Sequence, residues 1–140
     1  MNEPRQPDFF IIGAPKCGTS SFINTLRWHS RIYVPLAYEP QYFATDFTGI
    51  DRPSDDKYLQ LFNGVSDHHQ AVGEKSVIYL YSATAIANIK AFNPDYRLIV
   101  MLRNPADLVY SWHSQLYYSF LEDEKDFQTA WSLQEQRKRG

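Results

Sequence analysis

The sequence predicts an α/β fold in which a parallel sheet is flanked by helices, and three observations carry that prediction. Short, continuous apolar runs of strand length, FFIIG at 9–13 and RLIVML at 97–102, read as strands buried on both faces. Segments with helical spacing of apolar residues alternate with them. Each of the two strands hands over to a helix through a turn marked by glycine or proline.

Taken in order, residues 9–13 form the first strand, and residues 19–28 a helix whose Phe22, Ile23, Leu26 and Arg27 make one mostly apolar face. Residues 31–35 are a second extended segment stopped by Pro35. The aromatic, turn-rich stretch 40–54 reads as an irregular loop. Residues 55–62 (DDKYLQLF) make a short amphipathic helix with acidic residues in its first turn, where the helix dipole favours them. Residues 71–75 (AVGEK) are a third strand, and 83–92 a helix closed by Asn93-Pro94. After the strand at 97–102, Pro105 opens a helix to about Phe120, and 127–137 is a last helix before a basic tail, RKRG. The chain contains no internal repeat, low-complexity tract or interdomain linker, so residues 1–140 read as one domain or a piece of one.

Composition bounds the function. With 44% hydrophobic and 16% aromatic residues the chain can pack a core, and a net charge of −2 gives no global attraction to nucleic acid or anionic lipid. Any basic site must be local. The single cysteine, Cys17, excludes an internal disulfide and favours a reducing compartment. The only early apolar run, FFII, is too short for a signal peptide or a membrane span. A soluble, cytoplasmic protein is the expectation, with no nucleic-acid or membrane partner.

The segment FFIIGAPKCGTSS, residues 9–21, carries the strongest chemical signal. A strand that turns through glycines into a helix gathers backbone N–H groups and the positive end of a helix dipole around one point, a site for an anion. The spacing of Gly13 and Gly18 matches the start of the phosphate loop G-x-x-x-x-G-K-[ST], but Thr19 and Ser20 follow Gly18, and the lysine, Lys16, lies inside the loop. A nucleoside-triphosphate enzyme needs the lysine that is missing, so the loop is expected to take a different phosphate ester. Lys16 would sit beside the leaving oxygen, and the hydroxyls of Thr19 and Ser20 beside the terminal anion. The plain alternative is a strand-to-helix turn with Thr19 or Ser20 as a cap.

A second constellation, LRNPADLVYSWHS, places Arg103 at the end of the RLIVML strand and Ser111 two helical turns beyond Pro105. A charge at the end of a buried strand is costly unless paired, and a guanidinium and a hydroxyl so placed could share one phosphate. An arginine bonded to local carbonyls and a serine on a solvated face is the alternative.

Together these motifs resemble the sulfotransferases that use 3′-phosphoadenosine 5′-phosphosulfate (PAPS). PKCGTSSF is similar to their 5′-phosphosulfate loop, P-K-x-G-T-[TS]-x-L, and LRNPADLVYS to their 3′-phosphate motif, in which a serine follows the arginine by eight residues. EPQYF, beginning at Glu39, and GEKS, beginning at Gly73, resemble two segments of the heparan-type and bacterial carbohydrate branch. The resemblance runs from Phe9 to about Trp131. Tyr38 stands where that branch commonly has lysine, and Leu108 where it commonly has arginine. Family members run on to a later strand and a basic loop, so the resemblance implies that residues 1–140 are the N-terminal portion of a longer domain.

The resemblance implies a P-loop-containing nucleotide hydrolase-like (sulfotransferase) fold and transfer of a sulfuryl group from PAPS to a hydroxyl or amine of a carbohydrate or small molecule. It implies Glu39 as general base and Lys16 as the group at the departing phosphate oxygen. Pro15, Lys16, Cys17, Gly18, Thr19, Ser20 and Ser21 would hold the 5′ end of the donor, and Arg103 and Ser111 its 3′-phosphate. Lys75 and Tyr42 are candidates on the acceptor side. His113 is the rival base, weighed against a packing role. No metal enters this scheme, lysine and amide dipoles supplying the positive charge. Two rivals stand beside it. A phosphate-loop kinase would need the absent lysine and an acidic residue, where this chain has Arg103, to organise Mg²⁺. A non-catalytic nucleotide-binding fragment would need only the anion site.

Overall fold

The computed structural model describes residues 5–36 and 39–139. They pack as two compact units, the first through Leu102 and the second from Arg103 onward. In the first unit, β1 (Phe9–Gly13) leads into α1 (Thr19–Arg27) and β2 (Ile32–Tyr33). Next come α2 (Asp55–Gln60), β3 (Ala71–Lys75), a single 3-10 turn over Val77–Leu80, α3 (Ala85–Phe92) and β4 (Arg97–Val100). The second unit holds α4 (Pro105–Tyr118), α5 (Phe127–Ser132) and α6 (Gln134–Arg137). The single helix expected over 127–137 is two, joined at Leu133.

The four strands form one sheet in the order β2-β3-β1-β4, and every pairing is parallel. This is the α/β architecture that the alternation predicts. β1 is fully buried, and its side chains divide by the period of two that a strand imposes. Phe10 and Ile12 enter a core with Phe43, Tyr58, Phe62, Val72, Tyr79 and Ile89 on the face covered by α2 and α3. Phe9 and Ile11 enter a second core with Ile23 of α1 and with Val34 on the opposite face. β3 obeys the same alternation. Val72 belongs to the first core and Ala71 packs against the second. Glu74 therefore shares the face of Val72, and Lys75 the face of α1.

One expectation is corrected. The RLIVML strand is not buried: Leu98 is 36% and Val100 45% exposed. β4 is the last strand of the sheet, paired to β1 on one side, and among the described residues no strand pairs with its outer edge. Its apolar composition suits a strand covered on both faces, but sheet position, which sequence does not carry, decides burial.

Helix starts follow their local chemistry. Asn104 caps α4 by accepting the N–H of Ala106, with Pro105 at the first helical position, and Asp126 caps α5 by accepting the N–H of Thr129. Ahead of α3, the carboxylate of Asp46 accepts from the hydroxyls of Ser82 and Thr84 and from the N–H of Ala83. The Ser82 hydroxyl chiefly, with the other two donors, holds the Asp46 carboxyl down at about 2.

β1 and β3 pair in the register Phe9↔Gly73, and the Phe9 ring lies across the glycine. A Cβ added at Gly73 would fall 2.2 Å from Phe9 Cζ. Gly73→Ala is therefore expected to cost about 1–3 kcal/mol as overpacking, lowering the urea midpoint without changing the slope. Phe9→Leu in the same chain should recover part of the loss, so that the two effects fail to add.

Candidate functional site

The loop after β1 is shaped by backbone conformations that need particular residues. Gly13 has φ +142° and Gly18 φ +81°, while Lys16 takes the left-handed region at φ 60°. The Ala14 N–H donates to the Met101 carbonyl at 2.8 Å, and the Met101 N–H to the Gly13 carbonyl at 2.8 Å, tying the loop's root to the chain just beyond β4. The Cys17 N–H closes the turn on the Ala14 carbonyl at 3.3 Å, and Cys17 is a buried free thiol filling the turn. α1 starts at Gly18 with no side-chain cap, so its first-turn amides are left for another acceptor. Thr19 is buried in that first turn, whereas Ser20 and Ser21 are exposed. The alternative in which Thr19 or Ser20 caps the helix is not what is found.

A buried ion pair joins this loop to a distant segment. Lys75 Nζ lies 2.8 Å from Glu39 Oε1 and donates to Ser20 Oγ at 3.1 Å, with side-chain exposures of only 3% for Lys75 and 9% for Glu39. The second oxygen of Glu39 accepts the Val77 N–H at 3.2 Å. The structure thus brings together three residues predicted separately: Ser20 of the anion loop, Glu39 and Lys75. Tyr38, just before Glu39, lies outside the described residues.

Further residues that hold the Glu39 segment come from the turn after β3. The Gln41 N–H donates to Ser76 Oγ at 2.9 Å and the Phe43 N–H to the Tyr79 hydroxyl at 3.3 Å. Sequence reasoning gave Ser76 no role beyond its place in the GEKS segment and missed Val77 and Tyr79, although SVIYL follows GEK without a break.

Glu74, adjacent to Lys75 on the other face of β3, was also missed. It is 1% exposed within the aromatic core. Neither of its carboxyl oxygens has a partner of regular hydrogen-bond geometry, although the hydroxyls of Tyr79 and Tyr58 lie near enough to favour its charged form. Burial dominates and pushes its acid from the ordinary 4.5 up to about 7, with the charge of Glu39 adding to the rise. The hydroxyls of Tyr58 and Tyr79 are raised in turn, first by burial and then by Glu74.

The remaining candidates lie elsewhere. The ring of Tyr42 stacks on Tyr58 with centroids 4.1 Å apart, and its hydroxyl donates to Asp55 Oδ1 at 2.9 Å. It is engaged on the α2 side, apart from the Glu39–Lys75–Ser20 contacts. Arg103 and Ser111 belong to the second unit, Arg103 exposed just before the Asn104 cap and Ser111 two turns into α4. His113, two residues further, pairs its Nε2 with the Glu124 carbonyl at 2.8 Å, which requires that nitrogen to be the donor, and packs edge-on to Phe127. Among the described residues no helix is long and apolar enough to cross a membrane, and no three His, Cys, Asp or Glu side chains are grouped to hold a metal ion.

A parallel sheet with an uncapped helix after a glycine-bounded loop defines the phosphate-loop class of α/β proteins. Residues 6–139 match the sulfotransferase domain family, and the chain belongs to it. The crystal structure of a sulfotransferase from Alicyclobacillus acidocaldarius superposes with a TM-score of 0.84 at 34% identity, covering 96% of this chain and 59% of that one. Human carbohydrate sulfotransferase 15 is 29% identical over 81% of this chain and 27% of its own length. Mouse heparan sulfate glucosamine 3-O-sulfotransferase 6 is 29% identical over 79% of this chain and 31% of its own. The chain thus spans less than a third of the length of these two relatives.

The buried Glu74 makes stability depend on pH. Its folded-state pKa lies above its ordinary value, so the stability it contributes is fully present below about 4.5 and is lost as pH rises through about 7. Glu74→Gln cannot ionise. Relative to the parent, it should gain on the order of 3 kcal/mol between pH 4 and pH 8, read from denaturant titrations at the two pH values. A constant difference would mean that Glu74 titrates as in an unfolded chain.

Proposed function

We propose that this chain carries the donor loop and the acceptor base of a sulfotransferase that moves a sulfuryl group from PAPS to a hydroxyl or amine of a carbohydrate or small molecule. The single observation that carries the reading is the buried Glu39–Lys75 pair reaching Ser20, which sets a carboxylate beside a loop shaped for an anion. Membership of the sulfotransferase domain family supports sulfuryl transfer over a kinase, and relatives named as carbohydrate and heparan sulfate enzymes support a carbohydrate acceptor.

The loop residues fit the donor's 5′ end. Left-handed backbone at Lys16 and Gly18, together with the uncapped amides of α1, makes a concave set of N–H donors, and Pro15 to Ser21 would line it. Arg103 and Ser111 would hold the 3′-phosphate. The donor supplies an activated sulfuryl group and departs as adenosine 3′,5′-bisphosphate. Lys16 would neutralise the charge developing on the phosphate oxygen as its bond to sulfur breaks. Glu39 would take the acceptor proton as the new oxygen–sulfur or nitrogen–sulfur bond forms. Lys75 and the Val77 amide fix the two oxygens of Glu39 and leave the carboxylate oriented for that transfer. His113, whose Nε2 is taken up by a backbone carbonyl, is less suited to act as base.

Two measurements test this. Calorimetry should show adenosine 3′,5′-bisphosphate binding without added Mg²⁺. Arg103→Ala should weaken it roughly tenfold or more, the worth of a charge-assisted hydrogen bond, and leave adenosine 5′-phosphate nearly unaffected. Equal losses for both ligands would remove Arg103 from the 3′-phosphate. In the intact protein, Glu39→Gln should lower kcat by about 10²–10⁴-fold while bisphosphate affinity stays unchanged. Turnover within a few-fold of the parent would place the base elsewhere.

A further inference from the structure

Besides the ion pair with Lys75, three contacts that hold the Glu39 segment come from the turn that follows β3. Ser76 Oγ accepts the Gln41 N–H, the Tyr79 hydroxyl accepts the Phe43 N–H, and the Val77 N–H donates to Glu39 itself. Two of these acceptors are hydroxyls, and a hydroxyl has a single proton. While its oxygen faces an amide N–H, that proton must point to another acceptor. For Tyr79 the neighbouring oxygens are those of Ser76 and Glu74. Glu74 can only accept when ionised and keeps an accepting oxygen when protonated, so it is the natural end of the chain Phe43 N–H to Tyr79 O–H to Glu74. This gives a physical role to a carboxyl that is buried, without a regular partner, and otherwise a pure cost to the fold.

We propose that Glu74 is a positioning residue. Through the hydroxyls of Tyr79 and Ser76 it holds the amides of residues 41 and 43, and with them the Glu39 carboxylate, against Lys75 and Ser20. The proposal rests on the reading of Glu39 as the base. The titratable groups that act on Glu74 are Tyr58 from α2, Tyr79 from the turn after β3, and Glu39 from the loop, with Tyr42 reaching it through Tyr58. Since Glu74 changes charge near neutral pH, the hydroxyls and the amides they hold should register that change.

The test uses the protein labelled with ¹⁵N in its amides and ¹³C in its glutamate carboxyls, followed by NMR across pH. One glutamate carboxyl should titrate near pH 7 and be absent in Glu74→Gln. The Gln41 and Phe43 amide shifts should follow the same midpoint in the parent and become flat in Glu74→Gln. Turnover gives a second arm. Glu74→Leu should lower kcat about tenfold or more with the donor KM within about twofold, the pattern of a group that orients the base without binding the donor. Glu74→Gln, which keeps an accepting oxygen, should restore kcat to within a few-fold. Amides that ignore the titration, or that titrate equally in Glu74→Gln, would overturn the proposal, as would a Glu74→Leu variant with parental kcat. If Glu74→Leu does not fold, the Glu74→Gln amide titration decides alone. If the parent transfers no sulfuryl group, the reading of Glu39 falls, and the amide titration still decides whether Glu74 holds the loop.

Discussion

The ion pair between Lys75 and Glu39 is the interaction on which the site depends. It is nearly dry on both sides, and each charge is compensated by the other 2.8 Å away. Removing either partner would strand a buried charge, a far larger penalty than the pair itself gains. The consequence is geometric. Lys75 also reaches Ser20, so one ammonium fixes the distance between the carboxylate and the first turn of α1. Three segments far apart in sequence are held as one unit by a single cation.

That arrangement follows from the alternation of β3. Successive residues of a strand point to opposite faces, so Glu74 enters the aromatic core while Lys75 meets α1 and Glu39. The two charges of GEK thus work from opposite sides of the sheet on the same loop, Lys75 by a direct ion pair and Glu74 through the tyrosine lattice. A shift of one residue in strand register would exchange them, placing the lysine in the core. The pairing of Phe9 with Gly73, whose missing Cβ makes room for the ring, fixes that register.

Much of the fold was legible in the sequence because its signals are local. The spans of β1 and β3, the Pro105 opening of α4 and the turn from Gly13 to Gly18 all rest on residues within a few positions of one another. The burial of β4 was not legible, because it depends on which strand occupies the edge of the sheet. The site divides in the same way. The loop and the individual candidates Glu39 and Lys75 stood out by motif, but their contact spans 36 residues and leaves no spacing to read. Tyr42 carried only an aromatic signal, which could not show that its ring stacks on Tyr58. Glu74 stood inside the GEKS resemblance without a role of its own, because its burial depends on which face of β3 the core covers.

The coordination of Glu39 bears on how a paired carboxylate could serve in the base role proposed for it. An ionised carboxylate offers about four lone-pair directions. Lys75 takes one on Oε1 and the Val77 amide takes one on Oε2, leaving capacity on each oxygen. The contacts that orient the group therefore do not exhaust it. A lysine in this position carries a second consequence, because its charge also faces the anion loop through Ser20. In the proposed transfer, negative charge moves from the acceptor toward the donor, and the ammonium would lie between the carboxylate proposed to take the proton and the loop expected to receive the leaving phosphate. A neutral residue could hold the carboxylate by hydrogen bonding alone but would leave that second end without support. The choice of a cation at position 75 is thus explained from both of its contacts rather than from either one.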